Sequence, residues 1–300
     1  MKVKTSLSRK VFLVCNHMIL IFIALCCILP FINLLAISFS SKSAVTSGQV
    51  TFWPVEFTTS AYDFIVTSSS QFFVSLWISC KRVIIGVPVN IALIILTAYP
   101  LSKSTKQFRA RNVFSWYFVI TILFSGGLIP SYMMVRYTGF IGSIWALILP
   151  GALSVFNMLV VMNYMRSLPS ELEEAAFIDG ANHLQTLIQI IIPVSLPTLA
   201  TVTLFSFVGH WNSWFDGLIY IDRVEKYPLQ TYLQTVVIDP ETFFRNISDT
   251  KSSLSTMLSM VNARTTNAAQ LFLATIPILI VYPFLQRYFT TGLVMGSVKG

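Results

Sequence analysis

Six apolar runs, each long enough to cross a membrane as a helix, constrain this chain more than any other feature it has. They cover residues 11–37, 83–101, 113–135, 141–165, 194–215 and 268–288. A hydrocarbon core of about 30 Å takes roughly 20 helical residues to span. Backbone groups inside it must be hydrogen-bonded within the protein, so such runs read as helices. Composition agrees: of 300 residues, 55% are hydrophobic and 11% charged, against about 25% charged in soluble domains. The expectation is an all-α membrane protein with six transmembrane helices, forming one membrane domain over residues 1–300. Pro88, Pro130, Pro150, Pro193, Pro197, Pro277 and Pro283 lie in or at the ends of these spans. Neighbouring helices can satisfy the backbone groups that these prolines free.

The first run follows Lys2, Lys4, Arg9 and Lys10 and has small residues at Ala36 and Ser38, which is also how a secretory leader looks. Its 27 residues exceed the roughly 7 to 15 of a leader's apolar stretch, so it reads as a retained helix. Lys103, Lys106, Arg109 and Arg111 crowd the short loop after the second run, whereas Arg136 alone precedes the loop at 137–142. By the positive-inside rule both termini are cytoplasmic, and 217–267 is a long extracytoplasmic loop. Lys81 and Arg82 fit this less well and predict a surface helix over 71–82 that leads into the second span. The net charge of +8 then follows from topology, not from nucleic-acid binding. Cys15, Cys26, Cys27 and Cys80 show no metal or redox spacing and are expected to be packing residues.

Four of the twelve acidic residues fall between Glu171 and Asp179, in the cytoplasmic stretch 170–193. Ser170 with Glu173 forms an S-x-x-E capping pattern, and Glu171 and Glu174 add negative charge to a first turn whose dipole favours it. Gly180 suits the left-handed residue that ends a helix. Asn182 with Gln185 offers a second cap, and Leu184, Leu187, Ile188 and Ile191 make an apolar stripe up to Pro193. Two short helices joined at a corner are therefore predicted. The small residues Ala175 and Ala176 beside the corner allow another backbone to approach closely, a shape suited to docking, although a solvated loop helix would share most of these features.

The string Glu174-Ala175-Ala176, three residues, Gly180, nine residues, Ile190, one residue, Ile192-Pro193 resembles the EAA motif of ABC importer permeases. Ile192 stands where that pattern has Leu, a swap that conserves volume. IDGA at 178–181 and Phe156-Asn157 resemble the carbohydrate branch of that family. GGLIPSY at 126–132, WNSWFD at 211–216 and YPLQ at 227–230 resemble the second permease of polysaccharide and complex-oligosaccharide uptake systems. The resemblance implies a type I importer permease fold in a bacterial plasma membrane. It implies that Glu173, Glu174, Ala175, Ala176, Asp179, Gly180, Ile190 and Pro193 belong to a coupling helix seated in a cytoplasmic ATPase subunit. It further implies a second homologous permease as a heterodimeric partner, two ATPase subunits that bind ATP and Mg, and an extracytoplasmic sugar-binding protein. This chain has no G-x-x-x-x-G-K-[ST] and no Gly-Lys pair, so it is expected to bind no nucleotide cofactor of its own. No metal-spaced His/Cys cluster or activated Ser/His set appears, so no metal or catalytic residue is expected either.

For a sugar route the candidates are Trp211, Asn212, Trp214 and Asp216 at the outer end of the fifth run, with Asn157 and Asn163 on the fourth. Flat rings beside hydrogen-bonding groups suit a sugar. Equally, the tryptophans fit an interfacial belt and the asparagines fit interhelical hydrogen bonds. In the outer loop, helices are predicted after Pro228 and over 248–262, with part of the loop meeting the binding protein. The competing reading is an ion-coupled secondary carrier for a small polar solute. Such a carrier would need titratable relays inside the spans, which are scarce here, and would have no use for an EAA-type corner.

Overall fold

The computed structural model describes residues 7–68, 70–238 and 262–296, and all regular structure among them is helical. Two compact units divide the chain, one from residues 1–72 and 235–275, the other from 73–234 and 276–300. In the first unit, α1 (Leu7–Ser38) is followed by the short α2 (Lys42–Thr46) and by α3 (Ser60–Ser68). Ser38 hydrogen-bonds Tyr62 at 2.8 Å and Phe39 stacks on Phe57, so the end of α1 is tied to the loop and helix that follow it. Residues 11–32 of α1 are exposed, Cys15, Cys26 and Cys27 included. These cysteines face away from the chain instead of packing inside it, as expected of a helix whose neighbour is lipid.

The second unit begins on α4 (Ser70–Ser102), an unbroken 33-residue helix. The helix predicted over 71–82 is present and leads into the second span without a break, but it is not a surface helix throughout, since Lys81 is exposed and Arg82 buried. No Gly or Pro occurs between Ser70 and Ile85 to stop the turn, and the charges that suggested a surface are accommodated within the helix. At 1.5 Å per residue α4 is about 50 Å long, well beyond a hydrocarbon core.

The three predicted spans that follow are each bent. The run 113–135 is divided into α5 (Arg111–Leu123) and α6 (Leu128–Tyr137), with 119° between them. Gly127 sits at φ 84° and ψ −177° at this break, a conformation open essentially to glycine. The run 141–165 becomes α7 (Ile144–Ile148), a 3-10 turn containing Pro150, and α8 (Val155–Ser167), with a bend of 49°. Ser154 caps α8 by accepting from the Asn157 amide.

After α8 come α9 (Glu171–Ile178), α10 (His183–Thr186), a π-turn at Leu187–Ile191 and α11 (Ile192–Val194). The chain then bends by 82° into α12 (Leu196–Asn212). Pro193, which cannot donate a backbone hydrogen bond, follows directly on the wide turn. Next are α13 (Phe215–Tyr220), α14 (Leu229–Ile238) directly after Pro228 as predicted, and α15 (Ala263–Gly296). The helix predicted over 248–262 lies outside the described residues. Among those described, α1, α4 and α15 are each long and apolar enough to cross a membrane, and the three bent pairs raise the number to six if each counts as one span.

The core of the second unit forms where α4, α8 and α12 meet. Ile94, Ala98 and Leu101 pack with Met158, Val161 and Met165 and with Leu199 and Val202. Leu187 and Ile191 join the same cluster, whereas Leu184 and Ile188 of the predicted stripe are exposed.

The corner between α9 and α10 is closed by the hydrogen bonds of a Schellman turn. Ala181 N–H donates to Ala176 O at 2.9 Å and Gly180 N–H to Phe177 O at 3.1 Å, with Gly180 at φ 82°. A Cβ at Gly180 would meet nothing within 4 Å, so the demand on this position is purely conformational. Gly180→Ala is expected to cost about 1–2 kcal/mol and Gly180→Asn less, read as the thermal unfolding midpoint in detergent. An alanine variant as stable as wild type would contradict this corner geometry.

Candidate functional site

Two polar constellations stand out in the second unit, one at the C-terminal end of α4 and one on its N-terminal half. At its C-terminal end, α9 presents its acidic turn. The Ser170–Glu173 capping box does not form: Ser170 is already helical, and its side chain makes no cap. The Glu173 amide donates to the Ser170 carbonyl at 3.0 Å instead of to its hydroxyl, and the Glu173 carboxylate, which would have returned to the N-cap, is taken by the Lys103 ammonium in a largely buried ion pair. The same ammonium lies 3.8 Å from the centroid of the Tyr99 ring. Burial pushes the Lys103 pKa below the usual lysine range, and the hydrogen bond to Glu173 opposes that shift.

Arg111 Nε donates to Leu101 O at 3.1 Å, and Arg166 Nη2 reaches the same oxygen at 3.5 Å. Two of the cations around this loop thus neutralise the negative end of α4.

The second predicted cap is present in full. Asn182 Oδ1 accepts from Gln185 N at 2.9 Å, and Gln185 Oε1 accepts from Asn182 N at 2.8 Å. His183 lies edge-on to Phe177 at 4.9 Å, which braces the corner from inside. Ala176 is buried, while Glu174, Ala175, Ile178, Asp179 and Leu184 are exposed. Ile190 is half-buried and Pro193 exposed. An acidic, small-residue knuckle therefore projects from a base that is fastened to α4.

The other constellation centres on Arg82, which is 3% exposed. Its guanidinium forms an ion pair with Asp216, with Nη1 also 3.2 Å from Asp216 Oδ1. Nη2 donates to Leu147 O at 3.1 Å, Nη1 to Ser213 O at 3.4 Å and Nε to His210 Nδ1 at 3.3 Å. On its far side His210 Nε2 donates to Asn90 Oδ1 at 3.2 Å, and the Asn90 amide donates to Gly86 O and Ala152 O at 3.1 Å each. His210 can lie this close to α4 because residue 86 has no side chain: a Cβ there would be 2.7 Å from the imidazole. Arg82, Gly86 and Asn90 fall at i, i+4 and i+8, on one face of the helix.

This network forms part of the wall of a cavity of about 480 Å³, which is also lined by Asn157, Ser206 and Tyr220. The Ser206 hydroxyl is buried and has no hydrogen-bond partner in the protein. Polar groups converging in a concave site suit a hydroxylated ligand.

Of the six route residues named from sequence, Asn157 and Asp216 line this cavity. Asn163 and Asn212 are exposed elsewhere. Trp211 is buried and stacks parallel to Phe207 at 6.2 Å, so it is a packing residue and not part of an interfacial belt. Trp214, half-exposed, packs edge-on to Phe215. Asn212 and Asp216 do not share a helical turn, because α12 ends at Asn212 and α13 starts at Phe215. Arg82, Asn90, His210 and Ser206 escaped the sequence reading; the i, i+4, i+8 spacing of Arg82, Gly86 and Asn90 was the available signal.

Removing one member of a buried pair strands the other charge. Asp216→Leu is expected to destabilise by about 3–5 kcal/mol, and adding Arg82→Met to recover much of the loss. A double-mutant cycle on detergent-solubilised protein measures this, and strictly additive losses would show that the two residues do not act as a pair.

The chain matches, over residues 16–215, the family described as binding-protein-dependent transport system inner membrane component. It is 38% identical over 281 residues to the polygalacturonan/rhamnogalacturonan transport system permease protein YtcP of Bacillus subtilis, covering 94% of this chain and 96% of that one. It is 37% identical over 295 residues to protein LplC of the same organism, covering 98% and 96%. A solved bacterial ABC transporter involved in the import of the acidic polysaccharide alginate contains a chain that superposes with a TM-score of 0.85 at 32% identity, covering 95% of this chain and 99% of that one. A chain whose described regular structure is all helical, with apolar helices, a corner of EAA spacing and this breadth of similarity, is a member of the family of inner membrane permease components of binding-protein-dependent ABC importers.

Proposed function

We propose that this chain is one of two permease subunits of an importer that moves a carbohydrate, in oligosaccharide form, into the bacterial cytoplasm. The single observation that carries this is the exposed corner at Glu174 and Gly180, held on a rigid base in a chain of the permease family. The relatives named for polygalacturonan, rhamnogalacturonan and alginate support the cargo class. The polar cavity supports a route past Asn157, Ser206 and Asp216.

In this reading six spans cross the membrane with both termini inside, each bent pair counting as one span. The corner seats in a cytoplasmic ATPase subunit, where Glu174 faces basic groups. ATP and Mg act in two such subunits, a second homologous permease completes the pathway, and an extracytoplasmic sugar-binding protein delivers the cargo. Closure of the ATPase pair draws the seated helices together and turns the cavity from one side of the membrane to the other. An ion-coupled carrier is less well supported. Arg82, the most buried charged residue among those described in the second unit, is bonded to Asp216 and His210.

Co-purification tests the coupling role. A tagged wild-type chain is expected to bring down an ATPase subunit and a second permease, and Glu174→Lys or Gly180→Pro to lose the ATPase while keeping the permease. Retention of the ATPase in both variants would refute the corner's role. Topology is tested separately with the four native cysteines replaced by serine. A cysteine at Ser104 should react with an impermeant thiol reagent only when the cytoplasmic side is open, and one at Thr138 from the outside. The reverse pattern would invert the orientation.

A further inference from the structure

We infer that Lys103 is the positioning residue through which the coupling segment grips α4 and so acts on the translocation cavity. The inference rests on the reading of 170–193 as the coupling segment and goes beyond it by naming the contact that carries the motion inward.

The argument begins with how little holds α9. It is eight residues long, and Ala176 is its one buried residue. So small an apolar contact would let a helix under load slide over its support. Three acidic residues occupy its first turn, and the protein turns Glu173 inward while Glu171 and Glu174 remain exposed. Glu173 meets Lys103, whose side chain is 9% exposed and whose ammonium is covered on another side by the Tyr99 ring. Desolvating two charges brings little net stability over an apolar pair. What such a pair supplies is a fixed, directional joint, which is what a transmitting contact needs. Tyr99 adds a second tie to the same segment, with its hydroxyl 3.5 Å from His183 Nδ1 beyond the Gly180 corner.

Both ties end at the C-terminal end of one helix, Tyr99 on its last turn and Lys103 on the residue that follows it. α4 continues without a break from Ser102 back past Asn90 and Arg82, the residues that carry its polar face into the cavity wall. Lys103 and Arg82 are about 30 Å apart along its axis. At the far end Arg82 is bonded to His210, Asp216 and the Leu147 carbonyl, which belong to α12, α13 and α7. A displacement of α9 that reaches α4 therefore reaches three further elements of the cavity wall through a single guanidinium.

The test uses the assembled importer in proteoliposomes, with the native cysteines replaced by serine and one cysteine at Ser206. The readout is the rate at which a small cationic methanethiosulfonate reagent modifies that cysteine, with and without ATP plus vanadate. In the Lys103 parent the nucleotide is expected to change this rate by about tenfold, the scale of a typical coupling free energy. Lys103→Met should abolish most of that change while the ATPase subunits stay attached and still hydrolyse ATP. Lys103→Arg should keep it, and the exchange Lys103→Glu with Glu173→Lys should restore it. A full nucleotide response in Lys103→Met, or no recovery in the exchanged pair, would overturn the role of Lys103. Loss of the ATPase subunits from Lys103→Met would also overturn it, by making Lys103 part of docking. No nucleotide response in the parent itself would sink the coupling reading and this inference with it.

Discussion

Arg82 brings a planar set of five N–H donors into the apolar part of the second unit, and a buried guanidinium must have its charge and its donors met by protein. Because the fork is rigid, the acceptors have to come to it in fixed directions. They come from α12 through His210, from the break after α12 through the Ser213 carbonyl, from α13 through Asp216 and from α7 through the Leu147 carbonyl. One side chain thereby places three helices and a break relative to α4. A lysine could supply the charge but not the fork. The same demand explains Gly86: His210 can complete the ring of partners only where α4 offers it bare backbone.

Two of the interruptions in the helices follow the same logic. Irregular backbone at membrane depth survives where it is buried in protein or borders a cavity, since lipid offers no hydrogen bonds. The break between α7 and α8 and the break between α12 and α13 both border the cavity, through Gly151 and Ser154 and through Ser213 and Asp216. Each is satisfied locally as well. The Ser154 side chain accepts from the Asn157 amide, and Asp216 Oδ1 accepts from the Gly217 amide at 2.9 Å and from the Ser213 hydroxyl at 2.8 Å. At these two breaks backbone and side-chain polarity is turned toward the cavity.

What was legible in the sequence depended on range. Apolar runs average over some 20 residues, so the helical membrane class survived every local irregularity. The Asn182–Gln185 cap and the Gly180 turn were legible because all their partners lie within a few residues. The Ser170 box failed at both halves: Ser170 is itself helical, so the Glu173 amide donates to its carbonyl and not to its hydroxyl, and the Glu173 carboxylate is claimed by Lys103, 70 positions away, which nothing in a local pattern announces. The bend in 113–135 turns on the backbone angles at Gly127, which hydropathy does not register. Arg82 was missed for the opposite reason: a charge beside an apolar run was read as a surface marker, when its counter-ion Asp216 waited 134 positions on. Trp211 was likewise judged by residue type, whereas the register of α12 turns it inward.

The acidic cluster that most distinguishes the sequence can then be resolved residue by residue. Successive positions on an α-helix are rotated by about 100°, so Glu173 and Glu174 cannot face the same way. Glu173 turns to α4 and is neutralised there, while Glu174 is left exposed beside Ala175 and the glycine corner. Glu171, exposed in the same first turn, is favoured by the helix dipole and needs no partner. Adjacent, chemically identical side chains therefore do different work: one fastens the helix to its own protein, and the other stays exposed, where in the proposed coupling role it offers its charge to the ATPase subunit.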